Sequence, residues 1–156
     1  VAGGILIQFD LRNSWRERVG RKKKLSAKEK KEIQKLVRQA LELWRRVVKE
    51  RAGRICEAPG CNKKKFLNAH HIESYTTNKG LRFDPENGFC GCPGHHKFKW
   101  VSAHKSFCFL YEILTTVRRK SLEYLLANYK VKVDVTKEFL EGVIRSLSRE
   151  LRARGK

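Results

Sequence analysis

Residues 56–96 read CEAPGCNKKKFLNAHHIESYTTNKGLRFDPENGFCGCPGHH, and they hold four of the chain's five cysteines and four of its five histidines. Cys56 and Cys61 stand in front, Cys90, Cys92, His95 and His96 behind, and His70 and His71 between them. Thiolate and imidazole are the donors that tetrahedral zinc prefers. An odd cysteine count, clustered with histidine, argues for metal in a reducing compartment rather than for a disulfide framework. Cys56 and Cys61 form a CxxxxC knuckle turned by Pro59 and Gly60, which needs two further ligands from elsewhere. Phe66, Leu67 and Ala69 predict a short strand that ends in His70 and His71. A polar loop follows from Glu73 to Asn87, punctuated by Gly80, Pro85 and Gly88. Gly88 to Cys92 predicts a second strand, Pro93 and Gly94 a turn, and His95 the start of a helix.

Outward from this centre the pattern turns helical on both sides. Ser26 with Glu29 three residues on is a capping box, and Ile33, Leu36, Val37, Ala40, Leu41, Trp44, Val47 and Val48 recur every three or four residues. They predict one amphipathic helix over Ala27–Arg51, ended by Gly53, with Lys30, Lys31, Lys35, Arg38, Arg45, Arg46 and Lys49 on its outer face. On the C-terminal side Phe107, Leu110, Tyr111, Leu114 and Val117 predict a buried face. Ser121 caps a helix over 122–129 with Leu122, Leu125 and Leu126 inward, Val131, Val133 and Val135 mark an extended link, and Thr136 caps a last helix burying Phe139, Leu140, Val143, Ile144 and Leu147. The expected layout is one compact unit: a basic arm over 1–24, a long helix over 25–54, a metal-organised core over 55–104 and helices over 105–156.

The chain has 156 residues, with Lys and Arg outnumbering Asp and Glu by 36 to 16, a formal charge of +20. Charge of this size draws a protein to polyanions, nucleic acid above all, although a merely solvated surface would look the same in composition. Lys63, Lys64, Lys65, Lys79, Arg82, Lys97 and Lys99 crowd the core segment and are the expected phosphate contacts, which position a protein without reading sequence. Tyr75, Phe98 and Trp100 lie among them and are expected in the core. No run of about 18 apolar residues appears, so no membrane span is expected and an intracellular location is.

The order of Ala69-His70-His71-Ile72, Asp84-Pro85-Glu86-Asn87-Gly88 and Cys92-Pro93-Gly94-His95-His96-Lys97 resembles the HNH endonuclease family, in its zinc-stapled, phage-type form, over residues 54–104. The resemblance implies a helix-rich α+β fold around a ββα-metal core. It implies a DNA endonuclease that nicks one strand per visit and leaves 5′-phosphate and 3′-hydroxyl ends. By the same resemblance His71 is the general base, and His70 and His96 bind a divalent cation, Mg²⁺ or Mn²⁺. Asn87 either joins that cation or orients the His71 ring. Cys56, Cys61, Cys92 and His95 would hold a structural zinc, His95 standing where the family usually has cysteine. Cys90 is the rival fourth ligand; it is disfavoured because Cys90 and Cys92 alternate along a strand and face opposite sides. His104, about 12 Å beyond His96 if the helix continues, is too far to share its ion. DNA is the implied partner, with a second copy of the chain or other phage DNA-processing proteins beside it. A zinc-stabilised DNA-binding module without cleavage, or a nuclease acting on RNA, are the rival readings.

Overall fold

A computed structural model of the chain describes residues 25–74, 79–99 and 101–155. The expected arm over 1–24, Tyr75 and Trp100 lie outside the described residues. Helix α1 (Ala27–Arg51) starts at the Ser26–Glu29 capping box and ends as Gly53 takes φ +60°. Strands β1 (Asn68–His71) and β2 (Gly88–Gly91) pair antiparallel, with Ala69 opposite Cys90 and His70 opposite Phe89. Helices α2 (Phe107–Thr116), α3 (Arg119–Asn128) and α4 (Lys137–Arg154) follow. The fold is helix-rich α+β, with two strands among long helices, and among the described residues no helix is long and apolar enough to cross a membrane.

The hairpin is held between two cores because successive strand side chains point to opposite faces. Cys90 packs with Ala40, Trp44, Val47 and Val48 of α1, with Phe83, and with Leu140, Val143 and Leu147 of α4. Phe89, one residue earlier, packs on the other side with Cys56, Ala58, Cys92, Ala103 and Phe109, Leu110 and Ile113 of α2. The approach to α1 is so close that a Cβ on Gly88 would lie 2.3 Å from a Val48 methyl. Only glycine fits there without a shift.

Two arginines fasten the loop that leads into β2. Arg51 donates to the carbonyls of Pro85 and, at 2.8 Å, of Gly88. Arg118, 7% exposed, donates to the carbonyls of Gly88 and Glu86 and to the Glu86 carboxylate at 3.0 Å. Glu57 sits between the two cations and accepts the Cys90 N–H at 2.6 Å.

The C-terminal helices differ from expectation in rotation. Helix α2 buries Phe109, Leu110, Ile113 and Leu114 and leaves Phe107, Tyr111 and Val117 exposed. Its sequence is apolar all round, so periodicity does not select a face; packing on Phe89 does. Helix α3 begins three residues early, which puts Ser121 inside it, bonded to Arg118 and Glu86, and turns Leu126 outward. Phe98, expected in the core, is also exposed.

Candidate metal centres

Two groups of ligands converge, one on each side of the turn that follows β2. The first comprises Cys56, Cys61, Cys92 and His95, whose ligand atoms all lie within 4.8 Å of one another. His95 Nδ1 is 3.5 Å from Cys56 Sγ and 3.5 Å from Cys92 Sγ. A tetrahedron with metal–sulfur arms of about 2.3 Å and a metal–nitrogen arm of about 2.0 Å has S···N edges of about 3.5 Å. The four residues could therefore hold a metal ion such as zinc. The knuckle is preformed by its backbone: Cys56 N–H donates to the Lys63 carbonyl at 2.9 Å, Glu57 N–H to the Cys90 carbonyl at 2.9 Å, and Cys92 N–H to Cys56 Sγ at 3.3 Å.

The acid–base chemistry of the group is divided. Burial pushes the Cys56 thiol up to about 11. Burial also acts against the Cys92 thiolate, yet the His95 and Gly94 N–H groups and the Cys56 and Cys61 thiols leave Cys92 below its ordinary value. Burial lowers His95, and Lys99 and Lys63 lower it further, so its imidazole is neutral and able to ligate. Cys90 is excluded from the group by direction: it is fully buried against α1, with its thiol pushed up to about 12 by that burial and by Glu57.

The second group is His70, His96 and His104, again with ligand nitrogens within 4.8 Å of one another. His104 Nε2 lies 3.3 Å from His96 Nε2, and the His70 and His104 rings are 4.5 Å apart. The expected separation of His96 and His104 is wrong because the helix does not continue. After one wide turn over Gly94–Phe98 the chain goes extended at Lys99, with ψ 156°. It then reverses, and Ala103 and His104 donate their N–H groups to the His95 and His96 carbonyls at 2.8 and 3.3 Å. That reversal carries His104 back beside His96. Sequence reasoning missed it; the signal was present as Ser102 and Ser106, polar residues able to break and restart a helix around His104.

Burial brings the His70 imidazole down to about 4, helped by His104, His96 and His71. Burial lowers His96 as well. These rings are neutral at ordinary pH and offer lone pairs rather than charge.

His71 points to the other face of the hairpin. Its ring stacks on Trp44 at 3.9 Å with planes 5° apart, and its Nε2 lies 2.8 Å from the Arg82 carbonyl. A carbonyl only accepts, so Nε2 carries the proton and Nδ1 is the basic atom of the ring. Burial lowers its pKa, as do the Arg82 and Arg45 charges, against the raising effect of the Arg82 carbonyl. Leu41, Trp44, Arg45, Ala69, His71 and Arg82 line a cleft of about 150 Å³.

Asn87 takes neither of its expected roles directly. It is fully buried, and its amide accepts from Glu73 N–H at 2.6 Å and donates to the Glu73 and Leu81 carbonyls at 3.0 Å. It clamps the loop between the strands, including the turn whose Arg82 carbonyl meets His71. Of the expected phosphate contacts, Lys63, Lys64, Lys65, Lys79, Lys97 and Lys99 are exposed, while Arg82 is half-buried. Comparison with protein-family models, curated proteins and solved structures finds no match.

Proposed function

We propose that the chain is a metal-dependent endonuclease of the HNH type that hydrolyses phosphodiester bonds in DNA. The observation that carries this reading is the convergence of His70, His96 and His104 on one point from a strand, a turn and a reversed segment, with His71 next in sequence. Three imidazoles have no structural need to meet half-exposed on a surface this basic. His70, His96 and His104 hold a divalent cation, which when bound would absorb the charge that grows on the phosphoryl and leaving oxygens. Imidazole donors suit Ni²⁺ or Zn²⁺ best, Mn²⁺ less well, and Mg²⁺, which takes oxygen ligands, least. The third histidine thus moves the expected preference away from magnesium.

In this reading His71 Nδ1 takes the proton of the attacking water. The Arg82 carbonyl fixes the tautomer, Trp44 fixes the ring plane, and Asn87 fixes the loop that supplies the carbonyl. Cys56, Cys61, Cys92 and His95 hold a structural zinc that closes the knuckle over a small core. Lys63, Lys64, Lys65, Lys79, Lys97 and Lys99 bind phosphates and make binding steeply salt-dependent.

The rival is a zinc-stabilised DNA-binding module without cleavage. It draws on the same His71 geometry, since a ring stacked on Trp44 and bonded to a carbonyl is also what a core histidine does. Nicking of supercoiled plasmid with Mn²⁺ by wild type, by chelator-treated protein and by His71→Ala separates them. Nicking by wild type alone, with DNA still bound by the variant, is the expected result. Equal binding with no cutting by any of the three establishes the binding module, and competition by structured RNA tests the substrate class.

A further inference from the structure

Among the described residues two non-glycine backbones are left-handed, Arg54 at φ 55° and Phe66 at φ 57°. Arg54 leaves a helix end, and its side chain returns to Glu50. Phe66 is different. Left-handed backbone is unusual for a bulky residue, and Phe66 is 82% exposed, the highest among the exposed large apolar residues described. The turn itself has a purpose, because Leu67 must enter both cores while the chain passes from the knuckle into β1. Glycine or asparagine would make that turn with less strain. Nothing in the turn calls for a phenyl ring held in water.

The ring stands on a firm base. Cys56 N–H is bonded to the Lys63 carbonyl at one end, and the Asn68 amide donates to the Phe66 carbonyl at 3.0 Å at the other. Lys63, Lys64 and Lys65 precede it, all exposed and none in an ion pair with a described residue. An aromatic tip beside three solvated cations matches duplex DNA, whose phosphates take the charge while an apolar wedge enters between base pairs from the minor groove.

We infer that Phe66 is a wedge that inserts into duplex DNA, with Lys63, Lys64 and Lys65 on the flanking phosphates. The inference rests on DNA as the partner and not on cleavage. His70 lies four residues on, at most about 13 Å away at about 3.3 Å per residue. The kink therefore falls within about four base steps of the three-histidine cluster.

The test is binding of wild type, Phe66→Leu, Phe66→Gly and Lys64→Ala to a duplex carrying 2-aminopurine, with no added divalent cation and salt varied. Wild type should brighten the unstacked base, and Phe66→Leu should retain most of that signal. Phe66→Gly should lose the brightening and bind about tenfold more weakly, a loss within the range for one aromatic–base contact. Its melting temperature should be unchanged or higher, because glycine accepts the left-handed backbone. Its salt slope should match wild type, whereas Lys64→Ala should lower the slope by about one. No brightening by wild type, or brightening and affinity in Phe66→Gly equal to wild type, overturns the wedge. Phe66-dependent binding that favours single strands over duplex overturns it too. Brightening by wild type without plasmid nicking leaves the wedge standing and ends the endonuclease reading.

Discussion

The two ligand clusters are built from neighbouring residues and differ in what surrounds them. His95 and His96 are adjacent, yet one joins Cys56, Cys61 and Cys92 and the other joins His70 and His104. Cys56 and Cys92 of the first cluster belong to a packed core with Phe89 and Phe109, and the His95 ring lies along Phe109 at 5.7 Å. In the second, His104 is exposed and the ligands come from a strand, a turn and a reversed segment. A closed, buried ligand set stabilises a fold, whereas an open one leaves room for a substrate. On the proposed reading, enclosure more than ligand type would separate a structural site from a catalytic one.

The largest effect that could break this contrast is on the closed cluster. Cys61→Ser should release the metal and abolish cooperative unfolding, since metal binding in such small sites contributes on the order of 10 kcal/mol to folding. Metal analysis of wild type should give about one tightly held zinc per chain. A variant that is metal-free and still melts like wild type would remove the distinction between the clusters.

Next in size is the frame that sets both clusters at fixed spacing. Arg118 is buried and bonds the carbonyls of Glu86 and Gly88, the residues that lead into β2. Arg118→Ala strands Glu57 and Glu86 without that cation and should cost about 3–5 kcal/mol, read from denaturant unfolding. A loss below about 1 kcal/mol would show that Arg51 alone holds the loop.

His104→Ala should act oppositely to Cys61→Ser. Its ring is exposed, so the melting temperature should shift by only a degree or two. Manganese-dependent nicking should fall about a hundredfold or more, as befits loss of a metal ligand. Unfolding of this variant would make the open cluster structural after all.

What the sequence disclosed follows the same division. Helix α1 was legible to its ends because capping and apolar period agree there. The hairpin was legible in outline, but its first strand starts at Asn68, because Phe66, expected within it, takes a left-handed turn. His104 was not, because its position depends on two backbone bonds between residues 103–104 and 95–96, which no local preference encodes. Arg118 was equally hidden. In a chain of net charge +20 one more arginine reads as surface, and only the tertiary fold shows which cation turns inward. The α2 face failed for the opposite reason: too many apolar residues left every rotation plausible.

The smallest expected effect locates pH sensitivity behind His71, on the hairpin face away from the open cluster. Asp84 accepts the Trp44 indole N–H on its carbonyl at 2.8 Å and the Tyr124 hydroxyl on its carboxylate at 2.5 Å, so it props the ring on which His71 stacks. Burial raises its pKa above 3.8, and the Tyr124 and Glu86 N–H bonds only partly oppose that. A raised folded-state pKa means that the native state prefers the protonated acid. The stabilisation is complete below the unfolded value of about 3.8 and is lost as pH rises through the folded one. Asp84→Asn keeps an acceptor for Glu86 N–H and carries no charge, so at pH 7 it should be more stable than wild type by about 1 kcal/mol, within the ordinary range for a single substitution. The gap should close as pH falls towards 3.8. A gap that persists or widens in acid would mean that the Asp84 carboxylate is stabilised where it lies, and that the support behind His71 depends on its charge.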